Sequence, residues 1–234
     1  MIKMPSGQTT LEQVLPLLQV RIFAYDCLRR TFLGEPSKEF LRTVSHEGFI
    51  EGFPFAEDSA LIHEGAENVS EYLKNQDVLS EEVHDKLHWD YTRMFIGPYE
   101  LPAPPWESAY LNKERLLFQE ETINVRRAYL KYAFLPKDFG HEADDHLGLE
   151  LDFMYQLSEL AEAKVSKQDI GGLVEVLRDQ KAFLEDHLLK WVPEFSKQAA
   201  RHAQTQFYEG MVKILAGFLE LDLKALEELL DINV

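Results

Sequence analysis

Apolar side chains recur every third or fourth residue along almost the whole chain, the period of an amphipathic helix. Leu11, Val14, Leu15, Leu18, Ile22, Tyr25 and Leu28 keep that spacing to about Thr31, and Thr10 to Gln13 has the S/T-x-x-E/Q form of a capping box at its head. Pro16 falls inside the stripe and predicts a kink or a later start, because proline removes a backbone donor. Shorter helices are predicted over 36–46 and 57–75, and Ser80, followed by Glu81 and Glu82, opens another that runs to about Phe95. Further helical stretches are predicted near 113–133, 141–163, 167–190, 194–202 and 205–229. The alternation of Val, Ile and Thr expected of strands is missing, and no repeat of 20–50 residues is visible. The expected fold class is all-α: a single-domain helical bundle of about nine to eleven helices over residues 1–234.

One stretch breaks the pattern. Residues 97–111 read Gly-Pro-Tyr-Glu-Leu-Pro-Ala-Pro-Pro-Trp-Glu-Ser-Ala-Tyr-Leu, and four of the ten prolines (Pro98, Pro102, Pro104, Pro105) fall within eight residues of it. Each proline fixes φ and pushes the preceding residue out of the α region, so the chain is expected to run extended here. Tyr99, Leu101, Trp106 and Tyr110 load that stiff backbone with apolar surface. A stiff segment has little ordering entropy left to lose when a partner docks, which makes this loop a candidate binding ledge. A second break, Phe134-Leu-Pro-Lys-Asp-Phe-Gly140, is a candidate hinge. Such a hinge would let the C-terminal helices dock on another copy, so the expected state is a monomer or a domain-swapped dimer.

Composition narrows the setting. A chain of 234 residues buries a sizeable core, and no apolar run is long enough to span a bilayer, so stable membrane insertion is not expected. Met1 to Gln13 lacks the basic start and apolar h-region of a secretory signal, and the single cysteine, Cys27, permits no internal disulfide; the expected location is cytoplasmic. The formal net charge is −17, and residues 46–92 hold twelve acidic side chains against two lysines, Lys74 and Lys86. A field of that sign disfavours nucleic acid and anionic lipid and steers basic ligands inward. Solubility alone also favours acidity, so the charge fixes only a sign: right for a cationic peptide and wrong for DNA.

Catalytic signatures are missing. No Walker loop, G-x-S-x-G elbow or dinucleotide fingerprint occurs, so neither an enzyme nor a bound cofactor is expected. His141-Glu-Ala-Asp-Asp-His146 resembles the zinc motif H-E-x-x-H with one residue too many. Side chains five apart on a helix diverge by about 140°, so no metal site is expected. His146 falls on the stripe Leu149, Phe153, Leu157, Leu160, which predicts one helix from 141 onward with Asp144 and Asp145 as caps in its first turn. Phe183, His187 and Trp191 repeat every fourth residue and are predicted to stack in the core, with His187 hydrogen-bonded, along a helix that ends before Pro193.

Met94-Phe-Ile-Gly-Pro98, Pro104-Pro-Trp-Glu-Ser108 and Glu142-Ala-Asp-Asp-His146 resemble, in that order, the motifs of the TorD/DmsD family. These are cytoplasmic chaperones for molybdenum-containing oxidoreductases exported by the twin-arginine pathway. The resemblance continues through Phe183 to Trp191 and covers most of the chain, with Ala143 standing where the family usually has proline. It implies a TorD/DmsD-like helical fold and a binding function without turnover. The client would be the precursor of a molybdenum oxidoreductase, recognised by its twin-arginine signal peptide, held back from the translocon and assisted in cofactor insertion. The implied site takes Tyr99, Leu101, Pro105, Trp106 and Glu107 from the loop, with Glu142, Asp145 and His146 facing them across a cleft. Glu142 and Asp145 would accept the arginines. His146 would order one of them or donate to a peptide carbonyl, and the ledge would take the apolar stretch. Two alternatives stay open: an adaptor that activates a non-exported metalloenzyme, and a metal-dependent hydrolase using His141, Glu142, Asp145 and His146.

Overall fold

The computed structural model describes residues 11–46, 48–112, 118–135 and 142–231; the cap at Thr10, His141 and most of the candidate hinge, from Pro136 to Gly140, lie outside them. Among the described residues the regular structure is ten α-helices and two π-helical turns, and the extended pairing amounts to one isolated bridge. α1 (Leu11–Phe32) carries Pro16 inside it, so the helix is not delayed. One missing donor is a smaller loss than exposing Val14, Leu18, Tyr25 and Leu28, all of which are buried.

α2 (Lys38–Val44), α3 (Ala60–Asn75) and α4 (Glu81–Tyr91) each begin on a serine. The hydroxyls of Ser37, Ser59 and Ser80 accept the N–H of Phe40, Ile62 and Val83 at 3.1, 3.4 and 3.4 Å, which satisfies a donor that the first turn leaves open. α4 passes into a π turn, Thr92–Ile96, which Gly97 ends at φ +107°. α5 (Ser108–Leu111) and α6 (Glu120–Lys131) follow the proline loop. Then come α7 (Leu147–Ser166), α8 (Ile170–Phe183) and, through a second π turn at Leu184–Leu188, α9 (Leu189–His202). α10 (Gln206–Asp231) closes the described chain.

Two expectations need correcting. α7 starts at Leu147, so Glu142 to Asp145 precede the helix and His146 is its N-cap, with extended backbone and its Nδ1 accepting the Gly148 N–H at 3.1 Å. No helical stripe joins Glu142 to His146. Nor does the helix carrying Phe183, His187 and Trp191 end before Pro193, which lies inside α9. Trp191, Val192 and Phe195 are buried on both sides of that proline, and their packing outweighs one lost hydrogen bond.

α10, about 39 Å long at 1.5 Å per residue, is the hub. It packs along α3 and against α9, α8 and α1, while α1 lies along α7. The α3–α10 crossing is close because both helices present glycine there: a Cβ at Gly65 would sit 2.6 Å from the Gly210 carbonyl oxygen. A buried polar knot ties α1, α8 and α10. Arg21 donates from Nε and Nη2 to Asp222 at 2.6 and 3.1 Å and from Nη1 to Gln180 at 2.9 Å, and the Tyr25 hydroxyl donates to Asp222 at 2.7 Å. Among the described residues no helix is long and apolar enough to cross a membrane.

Candidate functional site

The proline loop and the acid–histidine motif meet in direct contact. Trp106 and His146 form an antiparallel bridge, flanked by the Leu147 N–H donating to the Pro105 carbonyl at 2.8 Å and the Glu107 N–H donating to the Asp145 carbonyl at 3.0 Å. The cause is local. Prolines keep residues 98–105 out of helical hydrogen bonding; the chain bends at 98–99, 102–103 and 105 instead of running extended as expected, and the backbone groups at its end need partners from elsewhere. The extended stretch ahead of α7 supplies them.

Side chains reinforce the junction. Trp106 Nε1 donates to Glu142 Oε1 at 2.8 Å, and its ring meets the His146 ring edge-on with centroids 5.8 Å apart. Asp145 is buried, and both of its oxygens are occupied: one accepts the Ser108 N–H at 2.9 Å, the other the Thr122 hydroxyl at 2.7 Å. Glu107 is buried and accepts His187 Nδ1 at 2.9 Å. Phe183 packs on the same imidazole with centroids 4.7 Å apart, so the hydrogen-bonded, stacked His187 expected from the four-residue repeat is present.

The predicted residues therefore divide into two groups. Pro105, Glu107 and Asp145 are buried and hold the junction together. Leu101, Trp106 and Glu142 are half-buried, and Tyr99 is 87% exposed. His146 is buried, with 7% of its surface exposed, and with Nδ1 accepting from Gly148 its proton sits on Nε2, which has no hydrogen-bond partner among the described residues. Burial holds its pKa below the ordinary value against the pull of Glu142 and Asp145, so the ring is a neutral donor at pH 7.

Glu150 belongs to the same junction and was not among the predicted residues. It is buried on α7, accepts Trp191 Nε1 at 3.2 Å on Oε2, and has no donor on Oε1. Burial first, then the negative charges of Glu107 and Asp145, push its pKa well above the carboxylate range, so it keeps its proton. Its signal in the sequence was one acid inside Leu147-Gly-Leu-Glu-Leu151, an apolar run otherwise. α6 closes the back of the site: Arg126 pairs with Asp144, and the Tyr129 hydroxyl donates to the Asp144 carbonyl at 2.9 Å. Chemically the arrangement offers a half-exposed indole at Trp106, a half-exposed carboxylate at Glu142 and one imidazole donor.

Residues 57–197 match the family described as nitrate reductase delta subunit. The chain is 30% identical over 146 residues to the chaperone protein TorD of Aliivibrio salmonicida, covering 62% of this chain and 66% of that one. It is 27% identical over 218 residues to the TorD of Vibrio vulnificus, covering 91% and 97%. The Tat proofreading chaperone DmsD of Salmonella typhi is 30% identical over 127 residues, covering 54% and 55%. The chain thus spans just under two thirds of the length of the first of these relatives and nearly all of the second.

Proposed function

Because this chain belongs to the nitrate reductase delta subunit family and has TorD and DmsD chaperones among its relatives, we propose that it is a maturation chaperone. In this reading it binds the twin-arginine signal peptide of a molybdoenzyme precursor and holds the precursor in the cytoplasm while cofactor is inserted. The observation that carries the reading is the junction itself. Family likeness, the proline loop and the acid–histidine motif converge where the half-exposed Trp106 is hydrogen-bonded to Glu142, with the exposed Tyr99 earlier in the same loop.

The contact residues proposed are Tyr99, Leu101, Trp106, Glu142 and the Nε2–H of His146. A signal peptide's apolar stretch lies along the aromatic ledge, while His146 donates to a peptide carbonyl. Glu142 Oε1 is taken by Trp106 and the Ala143 N–H, and its Oε2 is open to one guanidinium. Pro105, Glu107 and Asp145 act as positioning residues: Asp145 has no oxygen left for an arginine. No step of this function requires a reacting atom; selectivity comes from shape, apolar contact and charge.

The test is a calorimetric titration with a synthetic twin-arginine leader, beside the same peptide with both arginines changed to alanine. Saturable binding that weakens with the substitution is expected. Binding to neither peptide across several leaders would sink the reading and favour an adaptor for a partner without such a leader. Trp106→Ala is expected to cost on the order of 1–3 kcal/mol of peptide affinity, the range of a partly buried aromatic anchor.

A further inference from the structure

The rim offers one open carboxylate, Glu142, to a ligand that carries two adjacent guanidinium groups. A second surface able to take a cation lies on α4. Glu82, Asp85, Lys86 and Trp89 follow i, i+3, i+4, i+7 spacing and share a face. With Gln204 and Thr205 just ahead of α10 they line a surface cleft of about 470 Å³, within the size range of small-ligand sites.

Trp89 is 64% exposed, an unusual cost for the largest apolar side chain. The His88 ring meets it edge-on with centroids 4.8 Å apart, and no cation lies over the indole among the described residues. Lys86 is engaged by Glu82 at 2.9 Å, whereas Asp85 has no ion pair among the described residues. The start of a helix usually favours anions, but here its backbone donors are spent inward: the N–H groups of Gln204 and Thr205 donate to the buried Asp90 carboxylate at 3.0 and 2.8 Å. Beside the Glu82–Lys86 pair, what lines the cleft is an open indole and a carboxylate without an ion pair among the described residues, within the most acidic stretch of the chain.

We infer that this cleft holds a basic side chain of the client's signal peptide, an arginine guanidinium lying on the Trp89 indole and hydrogen-bonded to Asp85. The inference rests on the signal-binding reading and adds a second subsite to it. A planar guanidinium stacks on an aromatic face while pairing with a carboxylate in its own plane; a lysine ammonium is a compact point charge that does not reproduce that geometry.

The test uses the full chain and the variants Asp85→Asn and Trp89→Leu, titrated with three leader peptides: twin-arginine, twin-lysine and twin-alanine. Each variant is expected to weaken the twin-arginine leader about fivefold or more, within the range of a cation–π contact converted to affinity. Affinity for the twin-alanine leader should stay within about twofold, and the twin-lysine leader should bind wild type more weakly than the arginine form. Both side chains are on the surface, so unchanged thermal melting separates lost contact from lost fold. Wild-type binding with variants that match it overturns the cleft alone. Failure of wild type to bind any leader overturns the signal-binding reading, and the cleft with it.

Discussion

Asp145 and Glu150 are both buried acids with different partners, and each carries its own prediction. Asp145 accepts two donors, from Ser108 and Thr122. Asp145→Asn removes one acceptor and turns an amide NH2 toward a donor, leaving a buried group unmatched at a cost of about 1–3 kcal/mol in unfolding free energy. Denaturant unfolding should show that loss, with peptide binding reduced through the displaced loop. Glu150 is held neutral by burial and by Glu107. Its folded pKa lies above its unfolded value, so its stabilising contribution is complete below the unfolded carboxyl range. As pH rises from there toward the folded value, the unfolded chain releases the proton first and stability falls. Glu150→Gln mimics the neutral acid: its carbonyl accepts from Trp191 and its amide donates toward Glu107. The variant's melting temperature should exceed wild type by more at pH 8 than at pH 5; an equal difference at both would contradict a protonated Glu150. The sequence marked Asp145 as a site residue, but its part as a structural acceptor depends on Ser108 and Thr122, 37 and 23 residues away.

Helices were legible wherever a cap or a long apolar stripe announced them. Ser80 with Glu81 and Glu82 located the start of α4 because the side-chain acceptor and the acidic first turn act within four residues. The start of α7 was misplaced for the converse reason. His146 lies on the apolar stripe, but its backbone is drawn out by the bridge to Trp106, a pairing that no local pattern records. Pro193 misled in the same way, since a local breaker was set against the burial of Trp191 and Phe195. At the α3–α10 crossing, Gly65→Ala places a Cβ against the Gly210 carbonyl oxygen and near Ile214 Cγ1, at 2.6 and 2.9 Å. Backbone cannot swing away as a flexible side chain can, so the helices must separate. A loss of about 1–3 kcal/mol is expected in chemical denaturation, and an unchanged midpoint would mean the crossing is looser than it looks.

Across the whole molecule, the Arg21–Asp222 knot joins helices at the two ends of the chain. Removing one partner leaves a buried charge uncompensated: Arg21→Met should cost about 3–5 kcal/mol, and Arg21→Met with Asp222→Leu should recover part of it. Thermal melts of the single and double variants check this. A double variant no better than the single would assign the cost to Gln180, which loses Arg21 in both, and to Tyr25, which loses Asp222 in the double.

By itself the sequence determined what local physics encodes: helical class, the Ser80 cap, an acidic surface, and a stiff aromatic loop carrying recognisable motifs. Those follow from periodicity, backbone restriction and charge, each read within a few neighbouring residues. Tertiary structure decided which motif residues are available. Trp106 and Glu142 are brought together across 36 positions, Asp145 and Glu107 are turned inward, and Glu150 is drawn in beside them. Burial and hydrogen-bond partnership are properties of a site's whole surroundings, and those surroundings come from helices far apart in the chain.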